Sequence, residues 1–206
     1  AIGIDPAHAP SWVGLAEVKV LGAFYLLLPA REAHRQAKDA LATAARLQGE
    51  TATALYVEGM IALAERDWPA AERLLRRALD LEPHHVPALC RLALLFGVLG
   101  RPDDATAPLQ LARDLDPLSP WPLAMTGLCL LISRRPREAE RYLAQASDFD
   151  KENTLALWAA GLALVMRGQA AAGIEALTRA MTPSHRGGFV HALLGWACAA
   201  AGREDQ

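Results

Sequence analysis

The chain has little with which to build a sheet, a disulfide frame or a membrane span. Aromatics make up 6% of the 206 residues, and Val and Ile are sparse, which argues against a large sheet. The three cysteines, Cys90, Cys129 and Cys198, lie far apart and form no Cys-x-x-Cys pair. A disulfide framework and a zinc site of that kind are therefore not expected, and buried structural thiols are. No run reaches the ~18 apolar residues of a membrane span; the stretch from Ala23 to Ala30 is short and is broken by Pro29. The net charge is only −2, with arginines mixed among the acids. That balance gives no general attraction for nucleic acid or an anionic bilayer, and neither is expected as a partner. No signal-peptide pattern follows the first residue, Ala1, and a cytoplasmic location is expected.

The chemistry-bearing patterns are missing too. Neither GxxxxGK[ST] nor GxGxxG occurs, so no phosphate cradle is present. Ser119, Ser133, Ser147 and Ser184 have no glycine elbow beside them. His84 and His85 are adjacent in a turn, and adjacent residues converge poorly on one metal; His185 and His191 flank a Gly-Gly turn and fare no better. No catalytic residue, metal or cofactor is expected, and the chain is read as a non-enzyme. The densest basic cluster is Arg134, Arg135, Arg137 and Arg141, interleaved with Glu138 and Glu140. It reads as a solvated face, with an acidic contact as the alternative.

What the chain does have is Ala and Leu, both good helix formers, within a 52% hydrophobic composition. They recur with a fixed period. Leu41, Leu75, Leu109, Leu143 and Leu177 are each 34 residues apart. The same interval separates Ala44, Ala78, Ala112, Ala146 and Ala180, and also Ala37, Ala71, Ala105, Ala139 and Gly173. Two further columns are Gly59, Ala93, Gly127, Gly161, Gly195 and Leu55, Leu89, Leu123, Leu157. Such a period marks stacked helix–turn–helix units. Antiparallel helices approach to ~8–10 Å only where small side chains sit at the crossing, which the Gly and Ala columns supply. The Leu columns fill the space between units.

Punctuation follows the same period. Gly100, Gly168 and Gly202 are placed to end first helices in a left-handed cap. Pro102 and Pro136 are placed to open second helices, Asp67 to cap one, and Pro83 and Pro117 to end them. The units are read as 9–51, 52–85, 86–119, 120–153 and 154–187, the last ending early at Pro183, with an unpaired helix at 188–206. The first unit carries about nine extra residues around AFYLLLPAREA, with Pro29 opening its second helix. Ile4-Asp5-Pro6 resembles the tail of a preceding repeat, and both ends read as cuts through a longer array. The expected fold is all-α, a right-handed α-solenoid of antiparallel helix pairs forming one domain.

These columns, together with RDWPAAERLLRRALDLEP at 66–83, GRPDDA at 100–105, LDPLSP at 115–120 and PAREA at 29–33, resemble the tetratricopeptide repeat (TPR) family over nearly the whole chain. The combination is similar to the TPR module of bacterial adenylate and guanylate cyclases, winged-helix transcription regulators and serine/threonine kinases. The resemblance implies protein–protein interaction, with ligands held on the concave face lined by first helices. The positions so implied carry Tyr56, Met60, Leu94, Trp121, Leu128, Trp158, Leu162, Phe189 and Trp196. Trp and Tyr are frequent binding hot spots, and Trp158, Trp121 and Tyr56 are the expected anchors. The Lys/Asn/Arg set that clamps acidic chaperone tails is missing, with Arg91 the one candidate cation. The implied partner is a protein or peptide with an apolar face, such as a helix presenting i, i+3, i+4, i+7 residues. The same side chains have a second reading, as packing between neighbouring units. A homodimer that needs no separate ligand is the alternative function.

Overall fold

Apolar residues are distributed very differently between alternate helices, and that difference organises the chain. A computed structural model describes residues 2–181 and 188–202. Among them are eleven helices and no strand: α1 Ala9–Phe24, α2 Ala30–Gln48, α3 Ala52–Glu65, α4 Trp68–Leu81, α5 Val86–Val98, α6 Thr106–Leu115, α7 Pro120–Ile132, α8 Pro136–Phe149, α9 Thr154–Met166, α10 Ala170–Ala180 and α11 Gly188–Ala200. The expectations for Pro183, Ser184 and His185 fall outside the described residues.

First helices are apolar almost all round. α3 buries Ala52, Ala54–Val57 and Gly59–Ala62, as a helix enclosed on several sides must. Second helices are amphipathic and bury a narrow stripe: Ala71, Leu75 and Ala78 in α4, and Ala139, Leu143 and Ala146 in α8. Their remaining faces are charged and exposed.

The chain divides into two compact units, Ala1–Leu95 and Phe96–Gln206. In the first, α1 pairs with α2 and α3 with α4. In the second, α7 pairs with α8, α9 with α10, and α11 packs on α10 and α9. The crossings use the glycine column. A methyl group on Gly59 would lie 3.0 Å from Leu75 Cδ2; on Gly127, 2.6 Å from Leu143 Cδ2; on Gly161, 2.7 Å from Leu177 Cγ. Each leucine lies sixteen residues after its glycine, so one antiparallel register is built three times.

Caps follow the sequence in part. Asp67 Oδ1 accepts the Ala70 N–H at 3.1 Å, and Thr51 and Asn153 cap α3 and α9 in the same way. Pro136 opens α8, and Pro83 and Pro117 follow the ends of α4 and α6. Pro102 does not open a helix. Residues 102–105 form a tight turn in which Ala105 N–H reaches Pro102 O and Thr106 N–H reaches Asp103 O, and α6 begins at Thr106. The Arg101 guanidinium pins that turn, pairing with Asp104 at 2.7 Å while stacking 4.7 Å from the Phe96 ring.

The cap glycines Gly100, Gly168 and Gly202 have φ of 71°, 78° and 69°. Arg66 and Arg134 stand in the same 34-residue column with φ of 61° and 59°. A side chain in that conformation costs about 1–2 kcal/mol. Arg134→Gly is therefore expected to raise stability by about 1 kcal/mol, read as a higher urea midpoint at unchanged m. A lower midpoint would show that Arg134 contributes more through its side chain than its backbone costs.

The extra residues of the first repeat form the turn after α1. Leu27 and Leu28 N–H both reach Gly22 O, Leu26 adopts φ 57°, and Leu26 and Leu27 are about three-fifths exposed.

Candidate functional site

Each first helix turns an apolar face toward its neighbours, and the residues implied as a groove divide by depth. Tyr56, Met60 and Trp158 are buried, at 4%, 6% and 3% exposure. Leu94, Trp121, Leu128, Leu162 and Phe189 are half-buried, and Trp196 is 45% exposed.

In the first unit Tyr56 packs against the His85 ring, with centroids 5.3 Å apart. Burial pushes the Tyr56 phenol above its ordinary range, opposed by the Arg91 guanidinium, which donates to it. Tyr25 is raised by burial in the same way, again against the pull of Arg91. Arg91 is thus buried beside two phenols rather than held out to clamp a carboxylate. A cleft of about 380 Å³ lies in this unit between α1, the end of α2 and the start of α3. Val13 and Ala44 form apolar walls, with Glu17, Gln48 and Thr53 among them.

His85 has a structural task that its neighbour His84 does not share. Its Nδ1 accepts the Ala88 N–H at 3.1 Å while its carbonyl accepts from Leu89, which makes it the N-cap of α5. Nε2 faces Thr53 Oγ1 at 3.4 Å. Histidine is not a usual cap, so the only signal for this role in the sequence is its place just ahead of the helix. His85→Ala is expected to cost about 1 kcal/mol and His85→Asn to recover most of that loss, since Asn is a preferred cap. Equal urea midpoints for the Ala and Asn variants would rule out capping. Among the described residues no three of His, Cys, Asp or Glu come together as a metal site. None of the described helices is long and apolar enough to cross a membrane.

In the second unit, α7, α9 and α11 lie side by side and bring Leu128, Leu162, Phe189 and Trp196 onto successive helices. Trp158 sits beneath, its ring edge-on to Phe189 at 5.1 Å. The basic cluster is partly neutralised. Arg135 pairs with Glu138 at 2.6 Å, whereas Glu140 pairs at 2.5 Å with Arg167, which lies outside the cluster. Hydrogen bonds from Arg135 hold the Glu138 carboxyl below its usual range. Exposed pairs of this kind contribute little to stability.

Solved structures share this architecture. TTC0263, a thermophilic TPR protein from Thermus thermophilus, superposes with a TM-score of 0.72 at 15% identity, covering 86% of this chain and 96% of that one. PilW, a type IV pilus biogenesis factor, gives 0.67 at 19%, covering 95% of this chain and 86% of that one. YrrB, a TPR protein with an unusual peptide-binding site, gives 0.51 at 19%, covering 98% and 96%. At these identities the likeness shows the fold, a right-handed α-solenoid of helix pairs. No curated protein matches in sequence. The sequence model of the tetratricopeptide repeat matches residues 56–120 and 127–185, more than half of the chain, and the chain belongs to the tetratricopeptide repeat family.

Proposed function

We propose that this chain is the regulatory or sensory TPR region of a bacterial signalling or transcription protein. It acts without catalysis, by holding an apolar helical or extended segment of a partner on its first helices. TPR folds are interaction scaffolds, and that coarser role follows from the family. The finer reading rests on one observation: Leu128, Leu162, Phe189 and Trp196 hold apolar surface in partial contact with solvent on three adjacent first helices. Apolar side chains grouped in this way, with an exposed Trp, suit an i, i+3, i+4 helix face. Leu94 in the first unit is half-buried in the same manner, and Trp121 begins α7. Tyr56 and Met60 in the first unit, and Trp158 in the second, lie beneath the surface of their own units and would support it rather than touch the ligand.

The test is an array of amphipathic helical peptides probed with the intact chain and with Leu128→Glu and Leu162→Glu. Peptides that bind should lose at least tenfold in affinity with either variant, since each places a charge in a desolvated contact. Binding that both variants leave unchanged would remove the groove reading. Light scattering decides the alternative: a concentration-dependent dimer that persists at high salt would favour self-association through the same apolar residues.

A further inference from the structure

The turn into α8 gathers positive charge where the backbone already disfavours it. Arg134 takes φ 59° in a column that holds Gly100, Gly168 and Gly202, a strained conformation for any side chain. Arg135 is the N-cap of α8 and makes no side-chain cap hydrogen bond, and Arg137 stands in the first turn. A helix N-terminus carries partial positive charge and N–H groups without intrahelical partners, so a cation there is unfavourable and an anion favourable. Arg167, at the end of α9, comes to the same place. The four arginines are exposed and line an open cleft of about 510 Å³, with Glu138 beside them and half-buried Met166 supplying apolar surface. Glu138 answers Arg135, and Glu140 answers Arg167. Among the described residues neither Arg134 nor Arg137 has an ion pair, so the cleft keeps a surplus of positive charge.

We infer that this cleft, between the α7–α8 turn and the end of α9, binds a carboxylate-rich segment of a partner polypeptide. Its acids pair with Arg134 and Arg137, and an aliphatic side chain between them lies over Met166. The bound carboxylates offset both the arginine charge and the exposed start of α8. Guanidinium forks match planar carboxylates with two hydrogen bonds at a time. Sites for small molecules enclose their ligand and are mainly apolar, whereas this cleft is open and lined by charge. Nucleic acid would bring a continuous run of phosphates past Glu138 and Glu140 to a chain of net charge −2. An acidic peptide meets the arginines without that conflict. Leu128, Leu162, Phe189 and Trp196 do not line the cleft, so this contact is separate from the apolar one on the first helices.

A short fluorescein-labelled peptide of glutamates flanking one leucine, titrated with the intact chain at low salt, tests this. Saturable one-to-one binding is expected, and none for the counterpart with glutamines. Affinity should fall about fivefold with Arg134→Gly or Arg137→Gln, and more than tenfold with both, as befits charged contacts that remain near water. Arg134→Gly is the decisive variant, because it should raise the urea midpoint while it weakens the peptide. A residue with only a structural role would not move the two in opposite directions. Arg141→Gln removes a charge from the same cluster but outside the cleft, and should change affinity by less than about twofold. Leu128→Glu should leave this binding unchanged, so the two readings fail separately. The inference is overturned by no saturation at millimolar peptide, by equal binding of the glutamine counterpart, or by equal losses with Arg137→Gln and Arg141→Gln. Inorganic phosphate that displaces the peptide at equal concentration would also overturn it, since the arginines would then serve a phosphate ligand.

Discussion

Replacing Gly127 with leucine is expected to destabilise the second unit by about 3 kcal/mol, the upper end of the usual cost of overpacking a core. The first added carbon alone would lie 2.6 Å from both Cγ and Cδ2 of Leu143 and 3.4 Å from the Ala139 carbonyl oxygen. Leu143 is completely buried, as is Ala139 on the same stripe of α8, so neither has room to retreat. The helices must separate, and every contact along the crossing weakens with them. Removing a glycine from a helix interior works the other way by only about 1 kcal/mol and does not compensate.

The same substitution at Gly195 is expected to have the opposite sign. No atom lies within 4 Å of the added carbon, and leucine is a better helix former by roughly 0.5–1 kcal/mol. The two residues share a column, a helix type and a flanking composition, so the contrast isolates the packed partner as the cause. Urea unfolding of both variants, compared at constant m, measures it. Similar losses at both positions would show that the glycine column serves helix flexibility rather than close approach.

The repeated columns were legible because each is a packing constraint imposed again in every unit. Leu75, Leu143 and Leu177 recur with the period but sit against glycines of their own helix pairs, inside the unit and not in the space between units where the sequence reading puts them, and Asp67 caps α4 because an aspartate ahead of Trp-Pro has little else to do there. What escaped the sequence depends on neighbours distant in the chain or on unusual residues in ordinary roles. Arg66 and Arg134 take the left-handed cap conformation that a reader assigns only to Gly100 and Gly168. Nothing in an arginine advertises a positive φ; the position in the period does. Pro102 has the look of a helix start, but Arg101 ties the next three residues into a turn through Asp104 and Phe96. Depth along the inner face was the least readable feature. Leu162 and Trp158 are one helical turn apart and equally apolar, yet one is half-buried and the other sealed. Trp158 meets the Phe189 ring, 31 residues on, a contact that the local sequence does not signal.

That difference makes Trp158 the most informative single residue for separating architecture from binding. Trp158→Ala is expected to cost about 3–5 kcal/mol, because a fully enclosed indole leaves a cavity that helices pinned at Gly161 cannot collapse. It also removes the edge-on contact with Phe189 and so loosens α11 from α9. Trp158→Phe should behave quite differently. The indole Nε1 is buried with no hydrogen-bond partner among the described residues, and an unsatisfied buried N–H costs about 1–3 kcal/mol. Phenylalanine removes that penalty while keeping a ring against Phe189, so the lost volume and the relieved N–H should cancel to within about 1 kcal/mol. Thermal unfolding of the two variants separates them. If Trp158→Phe is nearly as damaging as Trp158→Ala, the indole N–H has a partner that stabilises it, and the residue reaches further toward the surface than its burial implies. If Phe substitutes well and peptide affinity is also unchanged, Trp158 supports the binding face from beneath, and the anchoring role passes to Leu162, Phe189 and Trp196.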